Sequence, residues 1–330
     1  LRMATRSTPG RSPGLAALSN GACGPRASPG GARLSVATAS APKYGRRVAP
    51  RTEALTGMVI CLNEARRIGD CLRSLAFCDE VVVIDSGSTD GTQDLVLAAG
   101  ARLITRPFVS WNDQKDFGRT QASHPWVLNV DADEVVTPEL AREIDALLVA
   151  GVPTRVGGYR FRFKNFLRDA WIRSCGFYPD PHVRLVRRDR AYWDTEHVHD
   201  RLVVDGDIGT LRGHIEHYSF ESLADYLEKS NIYAEAFARD AFARGRTSGV
   251  WAIATHTLAR FFRSYLLHRG ILDGALGLTM AGLQAAGTFQ KYVRLWELQR
   301  FASARALPPR TAALGDPWAE QRVSRRDDQA

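Results

Sequence analysis

The chain has little cysteine. Its five residues (Cys23, Cys61, Cys71, Cys78 and Cys175) are odd in number and show no CxxC spacing. That argues against a disulfide framework and against a zinc site. Cys61 and Cys71 fall in apolar patterns and read as small core residues, so a reducing compartment is the default. No GxGxxG follows the first apolar run, which leaves a dinucleotide fold without support, and no GxxxxGK[ST] occurs, which excludes a P-loop NTPase. The opening residues carry no apolar h-region and do not read as a secretory signal. An uncharged stretch at 274–289 falls short of the roughly 20 residues that span a bilayer.

Acidic residues are absent from positions 1–50. Across 330 residues the formal net charge is +8, yet residues 1–56 hold nine Lys/Arg against Glu53 alone, which leaves 44 − 9 = 35 basic and 36 − 1 = 35 acidic residues in 57–330. The basic excess therefore belongs to the N-terminal segment, and the remainder lacks the bulk signature of nucleic-acid binding. No nucleic-acid partner is expected. Residues 1–56, rich in Arg, Ser, Ala, Gly and Pro, bury too little apolar surface to offset their ordering entropy. A disordered tail, an organellar transit peptide and a nucleic-acid-binding arm all share this composition.

From 56 onward strands and helices alternate. "TGMVICLNE" (56–64), "EVVVID" (80–85), "RLITR" and "WVLNV" read as strands. "ARRIGDCLRSLAF", "TQDLVLAAG", "NDQKDFGRTQA" and "TPELAREIDALL" read as helices, the last with Thr137 as N-cap and Pro138 at its first position. This alternation predicts an α/β doubly wound parallel sheet. "VGGYRFRFKNFL", "HVRLVRR" and "AYWD" then alternate as antiparallel strands flanking it. Residues 221–300 read as helical, and 301–330 as a polar tail.

In an open α/β sheet, ligands bind outside the carboxyl ends of the strands. Asn63 and Glu64 follow the first strand, Asp85 the second, and Asp131 and Asp133 the fourth. Singly, Asn63 and Asp85 are turn formers; together these clusters outline a site. "VLNVDADEVVTPEL" places three carboxylates at the end of a buried strand, where they repel one another. Carboxylates one residue apart converge on a hard cation, Mg²⁺ or Mn²⁺, that takes its other ligands from water and phosphate oxygens. A metal–diphosphate complex is thus expected to relieve the repulsion.

"LNEARRIGDCLRSL", "VVVIDSGSTDGTQDL", "DQKDFGRTQA" and "VLNVDADE", in this order and spacing, resemble glycosyltransferase family 2, over roughly residues 57–150. "RLVRR", "HVHDRL" and "RGILDGALGL" are similar to its branch of bacterial lipopolysaccharide-core β-glycosyltransferases. That branch usually reads QKN where this chain has Gln114-Lys115-Asp116, and VHE where it has Val198-His199-Asp200. The resemblance implies a GT-A fold over 57–220 and inverting transfer from a nucleotide-diphosphate sugar, with UDP the expected nucleotide. It implies that Asp85 bonds the nucleotide base, that Asn63, Glu64 and Lys115 line the pocket with Lys115 balancing phosphate charge, that Asp131 contacts the ribose or the metal's water shell, and that Asp133 ligates the metal.

Inversion also needs a base for the acceptor hydroxyl. "WDTEHVHDRL" (193–202) offers Asp194, Glu196 and Asp200, and the VHE-like match favours Asp200, with His199 a second metal ligand or phosphate contact. His197 and His199 equally suit a plain loop, and His214 and His217 read as ordinary strand residues. Residues 260–290 mix Arg260, Arg263 and Arg269 with aromatics and leucine, the pattern of a helix at an anionic membrane surface or of a buried helical subdomain. The expectation is a cytoplasmic enzyme peripheral to the inner membrane, acting on a lipid-linked or lipopolysaccharide-core acceptor. Two other classes fit parts of the chain. "VLNVDADEV" matches the nucleophile motif of haloacid-dehalogenase-like phosphatases, with Asp131 as nucleophile, but on the wrong strand and without a partner set. A non-catalytic sugar-nucleotide-binding protein is opposed by the intact Asp131, Asp133 and Asp200.

Overall fold

The computed structural model describes residues 35–37, 50–195 and 201–301. Ten strands form one mixed sheet. β1 (Ser35–Ala37) is its edge. β2 (Leu55–Cys61), β3 (Glu80–Asp85), β4 (Arg102–Thr105) and β5 (Trp126–Asp131) lie parallel in the order β4-β3-β2-β5. Helices α1 (Ile68–Ser74), α2 (Thr92–Ala98) and α3 (Trp111–Gln121) make the crossovers. β2 is buried along its whole length. Val59 and Cys61 pack with Ile68 and Leu72 on one face, while Met58 and Ile60 pack with Phe117 on the other. Cover on both faces is why the strand reads as an uninterrupted apolar run. The chain steps from β2 out to β4, then returns to the opposite side of β2 for β5. Strand order therefore reverses between β2 and β5, which opens a crevice at their carboxyl ends.

The folded unit begins earlier than the sequence indicates. β2 starts at Leu55. Arg51, with 2% of its side chain exposed, is bonded to Asp79 at 2.8 Å and Asp145 at 2.7 Å. Trp126 Nε1 donates to Glu53 at 2.9 Å. Residues 51–56 read as tail because Arg51 and Glu53 look like solvent charges until partners up to 134 positions away are seen.

The second half of the sheet is what shapes the site. β6 (Glu134–Val136) and α4 (Pro138–Ala150) follow β5 directly, then come β7 (Val156–Leu167), β8 (Ala170–Trp171), β9 (Asp180–Arg187), β10 (Ala191–Trp193), β11 (Leu202–Val204) and β12 (Asp207–Phe220). β9 lies antiparallel between β5 and β7, as expected for flanking strands, whereas β10 leaves the main sheet and pairs with β11. The order continues β5-β9-β7-β12-β6. Only Ala132 and Asp133 separate β5 from β6, and two residues span at most about 7 Å. The sheet must therefore curl until β6, its far edge, returns to the end of β5. β12 comes with it, paired to β6 with His217 opposite Glu134. α4 starts as predicted, with Thr137 as N-cap and Pro138 in its first turn. It rests on β12 at Gly213, where a Cβ would lie 2.5 Å from Leu140 Cα, so any larger residue would push the helix off.

The C-terminal segment is helical: α5 (Leu223–Ala243), α6 (Val250–Phe262), a π-turn at Arg263–Leu267, a 3₁₀ turn at Gly270–Asp273, and α7 (Gly274–Phe301). Met280 and Ala281 of α7 pack with Ile172 and Cys175, which fixes the segment to the sheet. Among the described residues no helix is long and apolar enough to cross a membrane.

Candidate active site

Two loops frame the crevice on the β2–β3 side. Asn63 adopts a left-handed backbone (φ 56°). Its N–H donates to Ser88 Oγ at 2.8 Å, and its side-chain carbonyl accepts from Thr89 N at 2.9 Å. Asp85, fully buried, accepts from the N–H groups of Gly87 and Ser88, both at 2.9 Å, from Gln93 Nε2 at 2.7 Å, and from Ser88 Oγ. Gly87 sits at φ +99°, which glycine alone adopts without strain. Asn63 and Asp85 therefore fold and join the loops following β2 and β3.

The acidic turn after β5 is a compensated cluster. Arg184, from β9, donates to Asp131 Oδ2 at 3.0 Å and to Glu134 Oε1 at 2.7 Å. Glu134 Oε2 accepts the N–H of Asp131 at 2.9 Å. Lys115 Nζ, reaching in from α3, lies 3.8 Å from Asp131 Oδ1. His217 Nε2, from β12, lies 3.4 Å from Asp133 Oδ2, and Tyr218 N donates to Asp133 O at 3.0 Å. The carboxylates sit together because three cations from α3, β9 and β12 neutralise them, so a metal ion is not required to relieve their repulsion. Asp131, Asp133 and His217 keep 27%, 24% and 28% of their side chains exposed. A ligand reaches these three, whereas Glu134, fully buried, supports them from below.

The electrostatics follow from this geometry. Burial opposes the charge of Asp131, but Arg184 and Lys115 outweigh it and hold the carboxyl far below its ordinary range. Burial likewise opposes Asp133, and the His217 imidazolium overcomes it. Burial and the nearby Asp131 push Glu134 up to about 7 despite Arg184. Burial disfavours the His217 imidazolium, yet Asp133, with help from Glu134 and Asp131, raises it to about 9. Glu64, whose backbone N–H donates to Thr92 Oγ1 at 2.8 Å, is pushed up to about 8, first by burial and then by Asp133, with Lys229 opposing.

The structure thus brings together Glu64, Lys115, Asp131 and Asp133 of the expected residues, with Asn63 and Asp85 in the adjoining loops. Glu196, His199 and Asp200 lie outside the described residues. Asp194, flanking that segment, donates its N–H to Arg201 O at 2.9 Å and accepts from Asn112 Nδ2 of α3 at 2.7 Å. Arg184 and His217 are the members that motif reading passed over, and both come to the turn through long-range pairing. Motif reading counts Glu134 among the three carboxylates but gives it no role. His217, read as an ordinary strand residue, is on a strand but spends its ring on Asp133 (3.4 Å) and Asn165 (2.9 Å).

Comparison with known proteins identifies the family. The profile of "Glycosyl transferase family 2" matches residues 58–197. The lipopolysaccharide core biosynthesis glycosyltransferase LpsC of Rhizobium meliloti (strain 1021) is 30% identical over 257 residues, 72% of this chain and 93% of that protein. An uncharacterized glycosyltransferase of Rickettsia bellii (strain RML369-C) is 29% identical over 258 residues, 75% of this chain and 87% of that one. Among solved structures, glucosyl-3-phosphoglycerate synthase from Mycobacterium tuberculosis, crystallised with Mn²⁺, UDP and glucosyl-3-phosphoglycerate, gives a TM-score of 0.37 at 19% identity, over 51% of this chain and 72% of that one. The chain belongs to glycosyl transferase family 2 and is a glycosyltransferase of the α/β GT-A class. Membership sets aside the phosphatase reading, whose motif belongs on a first strand rather than on β5.

Proposed function

We propose that the enzyme transfers a sugar with inversion from a nucleotide-diphosphate donor, a UDP-sugar, to a lipid-linked saccharide of the lipopolysaccharide-core kind. The observation that carries this reading is the half-buried Asp131–Asp133 turn at the strand-order reversal, ringed by cations. The similarity to LpsC, a lipopolysaccharide core biosynthesis glycosyltransferase, supports the acceptor class. The loops folded by Asn63 and Asp85, with Glu64 beside them, receive the nucleoside, and Asp131 meets the ribose or the water shell of the metal.

In the reaction the acceptor oxygen attacks the anomeric carbon, the bond to the diphosphate breaks, and the acceptor proton passes to a base. Asp200 takes that role by its place in the family-like motif, and base catalysis of this kind is worth about 10²–10⁴ in rate. The Asn112–Asp194 bond ties the start of its segment to the helix that carries Lys115.

The donor set fits a hard divalent ion. Asp133 offers a carboxylate at the cleft, and Asp131 Oδ1 is buried without a hydrogen-bond partner. Mg²⁺ or Mn²⁺ can be held by one or two carboxylates plus substrate phosphates, which is what this turn offers. Asp133 would hold the ion, with His199 as second ligand and His217 a nitrogen facing the same oxygen. Such an ion supplies positive charge to the departing diphosphate.

A place at the cytoplasmic face of the inner membrane is supported by α6 and the turns after it. Trp251, Leu267 and Leu272 are 83%, 78% and 76% exposed, beside exposed Arg260, Arg263 and Arg269. The uncharged 274–289 stretch supports it less, because Gly277, Met280, Ala281, Ala285 and Gly287 are buried.

Calorimetry of UDP, GDP and dTDP, each with and without Mn²⁺, tests the reading. Asp133→Ala should abolish turnover and remove the Mn²⁺ dependence of nucleotide binding. UDP and Mn²⁺ binding unchanged by Asp133→Ala would sink the metal assignment, and no binding of any of the three would sink the donor class.

A further inference from the structure

The family resemblance gives the phosphate-balancing role to Lys115, but that side chain is only 5% exposed and stands against Asp131. A different cation is linked to the acidic turn through β12. Lys229, on α5, is 35% exposed. Its Nζ donates to Ser219 O at 2.8 Å and lies 3.4 Å from Asp225 Oδ2. Ser219 is two residues beyond His217 on β12, and the two side chains share one face of the strand. Asn165 Oδ1 accepts from both, from Ser219 Oγ at 3.0 Å and from His217 Nδ1 at 2.9 Å. Asn165 Nδ2 is in turn tied to Phe177 O at 2.9 Å. An unbroken chain of contacts thus runs from Lys229 through Ser219, Asn165 and His217 to Asp133. That chain, with Nζ held 2.8 Å from the Ser219 carbonyl, sets the ammonium on the side of α5 that meets β12, the strand that carries His217.

We propose that Lys229 is a donor-binding residue whose ammonium contacts the diphosphate of the nucleotide sugar, so that α5 completes the active site. The inference rests on the nucleotide-diphosphate reading above. A lysine suits this role because it is a compact charge on a flexible stem, and a small rotation frees it from Asp225 while Ser219 O keeps it close. As the bond to the anomeric carbon breaks, negative charge accumulates on the diphosphate, and an ammonium beside it stabilises that charge. The C-terminal helices are then part of the catalytic unit.

The test uses the full chain and compares UDP with uridine, which lacks phosphates, by calorimetry in Mn²⁺. Lys229→Gln should weaken UDP by about tenfold or more and leave uridine within about twofold, while Lys229→Arg should retain most of the UDP affinity. Equal weakening of UDP and uridine would make Lys229 a structural residue and overturn the proposal, as would wild-type UDP affinity in Lys229→Gln. Should Lys229→Gln not fold, reductive methylation of the wild type read by peptide mass spectrometry decides. UDP with Mn²⁺ should protect Lys229 and uridine should not; identical labelling overturns the proposal. Wild-type protein that binds none of UDP, GDP and dTDP removes the donor reading and this inference together, whereas normal UDP binding in Lys229→Gln removes this inference alone.

Discussion

Replacing His217 with glutamine removes a charge from the acidic turn while keeping a polar side chain of similar reach. At 3.4 Å from Asp133, an imidazolium gains roughly 5 kcal/mol of attraction at an effective dielectric near 20, before the cost of burying it. Raising the group from its ordinary 6.5 to about 9 corresponds to about 3 kcal/mol net. Burial therefore consumes a substantial part of the attraction and does not cancel it. Because the folded-state pKa lies above the unfolded one, this stabilisation is fully present below pH 6.5 and is lost as pH rises through about 9. Urea unfolding of wild type and His217→Gln without divalent ions, at several pH values from 6 to 9.5, reads it directly. The difference between the two proteins should be largest near pH 6 and shrink by about 1.4 kcal/mol per pH unit between 7 and 9. The difference is the quantity to follow, because Glu134, held up to about 7, titrates in both proteins. A difference that stays constant from pH 6 to 9.5 would refute the ion pair.

Two further outcomes follow from the catalytic and surface readings. Asp200→Asn keeps shape but loses basicity, so transfer should fall by a factor on the order of 10² or more with donor affinity nearly unchanged; a dead Glu196→Gln beside an active Asp200→Asn would move the base four residues upstream. The full chain should co-sediment with anionic vesicles, weakened but not abolished by high salt. Replacing Arg260, Arg263 and Arg269 with Glu should cut this binding, since each arginine contributes about 1 kcal/mol at an anionic surface. Protein that stays in the supernatant at low salt, or that sediments alone as a dimer through the same face, removes the membrane reading.

What was legible in the sequence was what is local. β2 and β5 read as strands because both faces are covered and their runs are mainly apolar, with Asn129 and Asp131 the polar members of β5. The DxD turn and Glu64 were legible because each follows a strand whose apolar run is clear, whereas Lys115, in the middle of α3, was singled out only through the family resemblance. The cations that hold the turn were not. Arg184 sits in an alternating "HVRLVRR" that reads as any antiparallel strand, and only the placement of β9 beside β5 points it at Asp131. His217 depends on a register, His217 opposite Glu134, between strands some 80 residues apart, and nothing in "GHIEHYSF" reveals it. The 274–289 run misled in the other direction. Gly277, Ala281 and Ala285 recur every four residues, a stripe of small side chains that lets helices pack closely. The lack of charge there reflects a packed face, and the most exposed apolar groups, Trp251, Leu267 and Leu272, lie earlier, among α6 and its turns.

The charge balance of the turn bears on how the proposed donor and metal would arrive. Asp131 and Asp133 are ionised and Glu134 titrates near neutrality, against Arg184, Lys115 and the His217 imidazolium. The unliganded turn is therefore close to neutral. A divalent cation entering alone would leave an excess of positive charge in a partly buried site and would have to displace the His217 proton or its contact with Asp133. A diphosphate entering alone would meet the ionised Asp131 and Asp133 at the same mouth. Arriving together, each supplies the countercharge the other needs, and the protein cations that compensate the empty turn become partners for phosphate oxygens. The same three cations that explain why a chain can place carboxylates so close together thus also favour a site in which metal and nucleotide diphosphate bind as one unit.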